Sequence, residues 1–162
     1  MPGGPIYHFP PYTSDTSGNA FPNIYVGSGG NAAPADCGLG VAASLGADTV
    51  WQLRFPMPPA IPPGTLKLRL LALADASSGN ATVTVSDANV AAGASPSAAS
   101  LTSETQATVT WGAGDADTYK ETKIALSAAA NGNDELVVAL AFNTSGWTLA
   151  AASTWIATVI WE

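Results

Sequence analysis

The chain has 162 residues, of which 47% are hydrophobic and only 10% are charged, so it can build the core of one ordinary globular domain and is not disordered over its whole length. Twelve acidic residues against five basic ones give a formal net charge of −7, which makes nucleic acids and anionic membranes poor binding partners. A single cysteine, Cys37, excludes an intramolecular disulfide, and the first residues lack the pattern of a signal peptide, so we expect assembly in a reducing cytoplasm.

Residues 1–34 differ from the rest of the chain, because prolines and glycines interrupt any regular helix or strand. Aromatic side chains are interspersed among them, and apolar rings favour burial. We therefore predict an extended N-terminal arm that packs on its own domain or, as we favour, on a neighbouring subunit. A flexible tail would fit the glycine and serine content but would leave the aromatic residues unexplained. The residues predicted to bind the partner are Tyr7, Phe9, Tyr12, Phe21 and Tyr25.

From residue 35 onward the hydrophobic pattern has a period of two, which is typical of β-strands with one buried face. Proline, glycine and asparagine clusters separate the alternating segments as turns. The pattern predicts strands near residues 50–55, 65–70, 81–85, 107–111, 119–126, 135–142 and 154–161. The predicted core residues are Trp51, Leu53, Phe55, Leu66, Leu68, Leu70, Val83, Val85, Val109, Ile124, Leu126, Leu136, Val138, Leu140, Val159 and Trp161.

Short strands at intervals of roughly 8–12 residues are the pattern of an antiparallel β-sandwich or barrel. We expect one β-sandwich domain over residues 35–162, preceded by the arm over residues 1–34. The longest aliphatic stretch carries Lys67 and Arg69 and is far shorter than the ~20 residues of a transmembrane helix, so we predict no membrane span.

Residues suited to nucleophilic catalysis are few and isolated. The single histidine, His8, lies in the arm, about thirty residues from Cys37, and neither belongs to a recognisable catalytic or metal-binding motif. We interpret Cys37 as a small buried thiol, the common environment of a free cysteine. The sequence therefore predicts no enzymatic activity, no metal and no cofactor.

Two acidic pairs and one tryptophan are candidate binding residues. Asp115 with Asp117, and Asp134 with Glu135, could coordinate a hard cation such as calcium, although carboxylates in turns are more often simply solvated. Trp147, in a glycine-flanked turn, is the tryptophan expected to be exposed, and it is the candidate glycan contact of a carbohydrate-binding sandwich.

Four segments in a fixed order resemble small β-sandwich structural proteins of tailed bacteriophages. These proteins carry an aromatic strand that ends in a Met-Pro turn, then a glycine-initiated aliphatic strand, and later two strands opened by Asp-Thr and by Gly-x-Asp-Glu-Leu. The matching segments here are residues 51–59 (WQLRFPMPP), 64–70 (GTLKLRL), 117–126 (DTYKETKIAL) and 132–140 (GNDELVVAL). The likeness covers roughly residues 48–162 and leaves the arm unmatched.

The resemblance implies a jelly-roll type of sandwich and a structural role in the virion, with no catalytic residue to carry over. We expect a capsid decoration, or cement, protein that binds the major capsid protein on the capsid surface. A homo-oligomer, with a trimer favoured, would match the local three-fold positions of an icosahedral shell. The alternative function is a carbohydrate-binding, receptor-recognising module associated with a tail or head fibre.

Overall fold

The protein is described by a computed structural model, which covers residues 6–7, 24–25, 38–41, 49–95, 99–129 and 131–162. Throughout these residues the regular structure is β-strand, and none of them belongs to a helix that could cross a membrane. The strands are β1 (Ile6–Tyr7), β2 (Ile24–Tyr25), β3 (Gly38–Val41), β4 (Thr49–Pro56), β5 (Leu66–Ala74), β6 (Gly79–Val90), β7 (Thr102–Ser103), β8 (Ala107–Trp111), β9 (Lys120–Ala125), β10 (Glu135–Phe142) and β11 (Ser153–Trp161).

Six strands form the first sheet, which we call sheet A. β11 lies at its centre, with β5 on one side and both β3 and β1 on the other. The β5–β11 ladder is antiparallel and runs from the pair Ser153–Ala74 to the pair Trp161–Leu66. β9 pairs with the second edge of β5, and β2 pairs with β3.

Five strands form the second sheet, sheet B. β10 lies between β4 and β6, so that Val138 is paired with Leu53 on one side and with Asp87 on the other. β6 is twelve residues long, and its second edge pairs with β8 along its first half and with β7 further on. All pairs in both sheets are antiparallel.

The two sheets pack face to face around one hydrophobic core, and the predicted antiparallel β-sandwich is confirmed. Alternate residues of a strand point to opposite faces, which is why the residues in phase with Leu53, Leu68 and Val83 are buried. The largest fully buried side chains are Trp111, Trp155, Phe55 and Phe142.

Two of the predicted core residues are only half-buried. Trp51 and Trp161 pack against the core, whereas the other predicted core residues are buried as expected. Both tryptophans lie near a strand end, Trp51 at the start of β4 and Trp161 as the last residue of β11. A large ring at a strand end has fewer neighbouring residues of its own strand to cover it than one in the middle.

The proline-rich connection between β4 and β5 is fastened to the loop that precedes β10. The backbone N–H of Met57 donates to the carbonyl oxygen of Asp134 at 2.8 Å, and the N–H of Asn133 donates to Pro58 at 3.4 Å. Met57 itself is buried in the core, with 4% of its surface exposed. Because prolines donate no hydrogen bond, the few donors around them determine where this connection lies.

Candidate binding surface

The first acidic pair is divided between two roles. The Asp115 carboxylate lies 2.6 Å from Lys120 Nζ and accepts the backbone N–H of Gly112 at 2.7 Å, and these hydrogen bonds, the Lys120 contact first, lower the pKa of Asp115. Asp117 is exposed, and its backbone has a φ of 55°, in a turn where its N–H donates to Ala74. Asp115 already has a cationic partner, so a bound cation is not needed to balance its charge.

The second acidic pair lies where β10 begins, and its two carboxylates have different partners. Asp134 is buried and accepts the Asn89 side-chain amide at 2.7 Å and the Ala92 N–H at 3.1 Å, which lower its pKa in that order. Glu135 instead forms an ion pair with Arg54 at 3.1 Å. Across the described part of the chain, no three His, Cys, Asp or Glu side chains gather into a metal-binding group.

Trp147, the candidate glycan contact, is half-buried rather than fully exposed. Its ring packs against the core and meets Phe142 edge-on, with centroids 6.3 Å apart and an interplanar angle of 83°. The backbone N–H of Trp147 donates to Thr144, which closes the turn before β11. Much of this ring therefore serves packing.

Two residues of the predicted arm, Tyr7 and Tyr25, belong to strands of sheet A. Tyr7 in β1 pairs with Thr158 of β11, and Tyr25 in β2 pairs with Gly38 of β3. The remaining arm residues, together with the isolated histidine and cysteine, lie outside the described residues; they are His8, Phe9, Tyr12, Phe21 and Cys37.

The outer face of sheet B carries a regular array of short side chains, which we call the flat face. Three neighbouring strands, β4, β10 and β6, each contribute three residues in register. Taken row by row, the nine residues are Arg54, Val137 and Ala88; Gln52, Ala139 and Ser86; and Val50, Ala141 and Thr84. Standard sheet spacings give the array a Cα extent of about 10 by 14 Å.

The flat face is almost uncharged. Arg54 is its one charged member, and the Glu135 carboxylate balances it. Thr84 accepts hydrogen bonds from Gln106 at 3.3 Å and from Asn143 at 2.8 Å. Exposure is uneven across the face. Val50 is 59% exposed, the most exposed large hydrophobic side chain in the described part of the chain, whereas Val137, Ala139 and Ala88 are buried.

The outer face of sheet A is chemically different, because it carries a network of ion pairs. Lys67 lies 3.2 Å from Glu162, Arg69 lies 2.6 Å from Glu121, and Lys123 contacts both carboxylates. These groups are partly exposed, so each pair adds little to stability. Their arrangement nevertheless makes the outer face of sheet A charged. Covering the outer face of sheet B with another molecule therefore costs less desolvation free energy.

The alternation that predicted the core also determines the flat face, since Val50, Gln52 and Arg54 are out of phase with Leu53 and Phe55. Which strands lie side by side is a property of the long-range pairing and has no local sequence signal. Searches against protein-family models, curated proteins and solved structures find no match to this chain.

Proposed function

We propose that the protein is a structural component of a tailed-bacteriophage virion that binds the capsid exterior and reinforces it without catalysis. Its partner is the major capsid protein, it assembles in the host cytoplasm, and it acts as a homo-oligomer, with a trimer favoured. The order of the four segments that resemble phage sandwich proteins supports this proposal.

The flat face is the observation that carries the proposal. Short, mostly uncharged side chains lose little conformational entropy when a second protein covers them, and they require little desolvation. Seven of the nine residues are alanine, serine, threonine or valine, which let another backbone approach closely, and Arg54 and Gln52 are the two longer side chains. An open, mostly uncharged sheet face suits a protein partner better than a small polar ligand, which binds in a concave site.

We further propose that the sandwich is of the jelly-roll type. Its eight longer strands divide into two sets of four, β3-β11-β5-β9 in sheet A and β4-β10-β6-β8 in sheet B. The chain alternates between the sheets from β3 to β6 and again from β9 to β11. Two packed four-stranded sheets with such crossings are typical of jelly rolls.

Val50→Asp tests the flat face. It places a charge at the most exposed corner of the proposed interface, and we expect it to weaken binding to undecorated heads of the cognate phage at least tenfold, a loss of about 1.4 kcal/mol. The matched control is Leu101→Asp, because Leu101 is 40% exposed and lies outside the flat face. Co-sedimentation with heads measures both. Equal binding by the two variants and the wild type would contradict the role of the flat face.

Deletion of residues 1–30 tests the arm. The variant removes β1 and β2, which are two residues each, and keeps β3 to β11. We expect a folded sandwich, judged by circular dichroism, that no longer remains on heads, because each aromatic ring buried at an interface contributes roughly 1.5–3 kcal/mol. Retention of the truncated protein on heads at wild-type affinity would show that the arm is not the docking element.

A further inference from the structure

An ionisable side chain lies inside one end of the sandwich. Asp87 is 1% exposed and follows Val83 and Val85 on the inward face of β6. Its register partner on β10 is Val138, which is fully buried. A carboxylate in such a position is costly unless it is neutralised or fully hydrogen-bonded.

Two consecutive backbone N–H groups of the loop after β9 bind two carboxyl groups. Ala128 donates to Asp87 Oδ2 at 2.8 Å, and Ser127 donates to Glu104 Oε1 at 2.9 Å. The Ser127 hydroxyl also donates to Glu104. Glu104 is positioned by its own N–H, which donates to the Val85 carbonyl at 2.8 Å.

The second oxygen of Asp87 has no donor. Oδ1 is buried and meets no N–H or O–H group among the described residues. The adjacent N–H groups of Ser127 and Ala128 hold the Glu104 carboxyl group beside that of Asp87. Two ionised carboxylates side by side repel, and a single proton between them turns the repulsion into a hydrogen bond. We propose that Asp87 and Glu104 share one proton, and that this acid pair forms a pH-sensitive connection between sheet B and the loop after β9.

The described residues around the pair supply no competing charge. Leu136 and Val138 of β10 and Leu126 after β9 are buried apolar residues. Asp134, near the next inward position of β6, is bound by Asn89 and Ala92. Glu104 is the charged group that acts on Asp87 among the described residues.

The electrostatics of the pair agree with this geometry. Burial raises the pKa of Asp87 to about 6, with the neighbouring Glu104 adding to the rise and the Ala128 N–H opposing it. The hydrogen bond from Ser127 lowers the pKa of Glu104, so the proton resides mainly on Asp87. Because the folded state holds this proton more tightly than the unfolded chain, the stabilisation is complete below the unfolded pKa of 3.8 and is lost as the pH rises through about 6.

Asp87→Asn mimics the protonated pair at every pH, because its amide can donate to Glu104 and its oxygen can still accept from Ala128. We compare the melting temperatures of the variant and the wild type at each pH. The variant's advantage should increase by about 5 °C from pH 4.5 to pH 8, because only the wild type loses the shared proton over this range. The matched control is Asp115→Asn, whose carboxylate is stabilised in its ionised form by Lys120. That control should be less stable than the wild type near neutral pH.

A carboxyl ¹³C NMR titration of the wild-type protein gives a reading that does not depend on any variant. We expect the Asp87 signal to titrate near pH 6, and a midpoint below 4.5 would overturn the proposal. In the melting experiment, a pH-independent difference between Asp87→Asn and the wild type would also overturn it.

Addition of millimolar CaCl₂ at pH 8 is the third measurement. Stabilisation of the wild type but not of Asp87→Asn would show that the pair binds a cation instead of sharing a proton, and no calcium effect is expected.

Discussion

Replacing Trp155 with alanine is expected to lower the free energy of unfolding by about 3–5 kcal/mol, the largest effect of any single substitution we consider. Trp155 is fully buried in the central strand of sheet A, and its ring meets Phe142 of sheet B at 5.1 Å between centroids. Its Nε1–H also donates to Ser153 Oγ at 2.9 Å in the buried core. Alanine would leave a cavity between the sheets and remove the donor to Ser153.

Urea denaturation followed by circular dichroism measures this effect. The neighbouring Ile156→Ala is the control, because Ile156 lies on the outer face of the same strand and is only half-buried. We expect it to cost about 1 kcal/mol or less. Trp155→Phe, which retains most of the ring but loses the N–H, should fall between the two. A loss below about 1 kcal/mol for Trp155→Ala would mean that the sheets do not pack around this ring.

Gly132→Ala is expected to be the second strongly destabilising change, with a loss of about 2 kcal/mol or more. A Cβ at Gly132 would lie 2.0 Å from the Pro59 carbonyl oxygen and 2.8 Å from its carbon. Both atoms belong to the backbone, so no side-chain rotation relieves the clash. The proline-rich connection would have to move away, which would break the bonds that Met57 and Asn133 make across it.

Gly114→Ala separates this clash from the general effect of losing a glycine. Nothing lies within 4 Å of a Cβ at Gly114, although its φ of +88° carries a conformational penalty of about 1 kcal/mol. In thermal unfolding Gly132→Ala should therefore have the lower melting temperature of the two. If Gly114→Ala melted at the same temperature or below, the close approach of Pro59 would not be important for stability.

The strands and most of the core could be predicted from the sequence because each sheet packs one of its two faces into the core. Leu66, Leu68 and Leu70 alternate with charged or polar residues, and that period alone indicates which side is buried. The long-range pairing could not be predicted, since nothing local places β10 between β4 and β6. The alternation places Trp51 and Trp161 in the interior, but it carries no information about how close each residue lies to the end of its strand.

The acid pair was missed for a related reason. The predicted strand covers residues 81–85, whereas β6 continues to Val90. A usable signal was present, since Asp87 is in phase with Val83 and Val85 and would face inward if the strand continued. Glu104 had no such signal, because only the β6–β7 pairing brings it beside Asp87.

The central strands of the two sheets, β10 and β11, follow β4 to β9 along the chain. During synthesis β4, β5 and β6 leave the ribosome before the partners that separate or flank them exist. The aliphatic segment Leu66–Ala74 gains β9 on one edge when that strand emerges, and its other edge stays open until β11 follows. We therefore expect slow folding governed by these late pairings, with a nascent chain that depends on chaperones or on rapid completion of translation to escape aggregation.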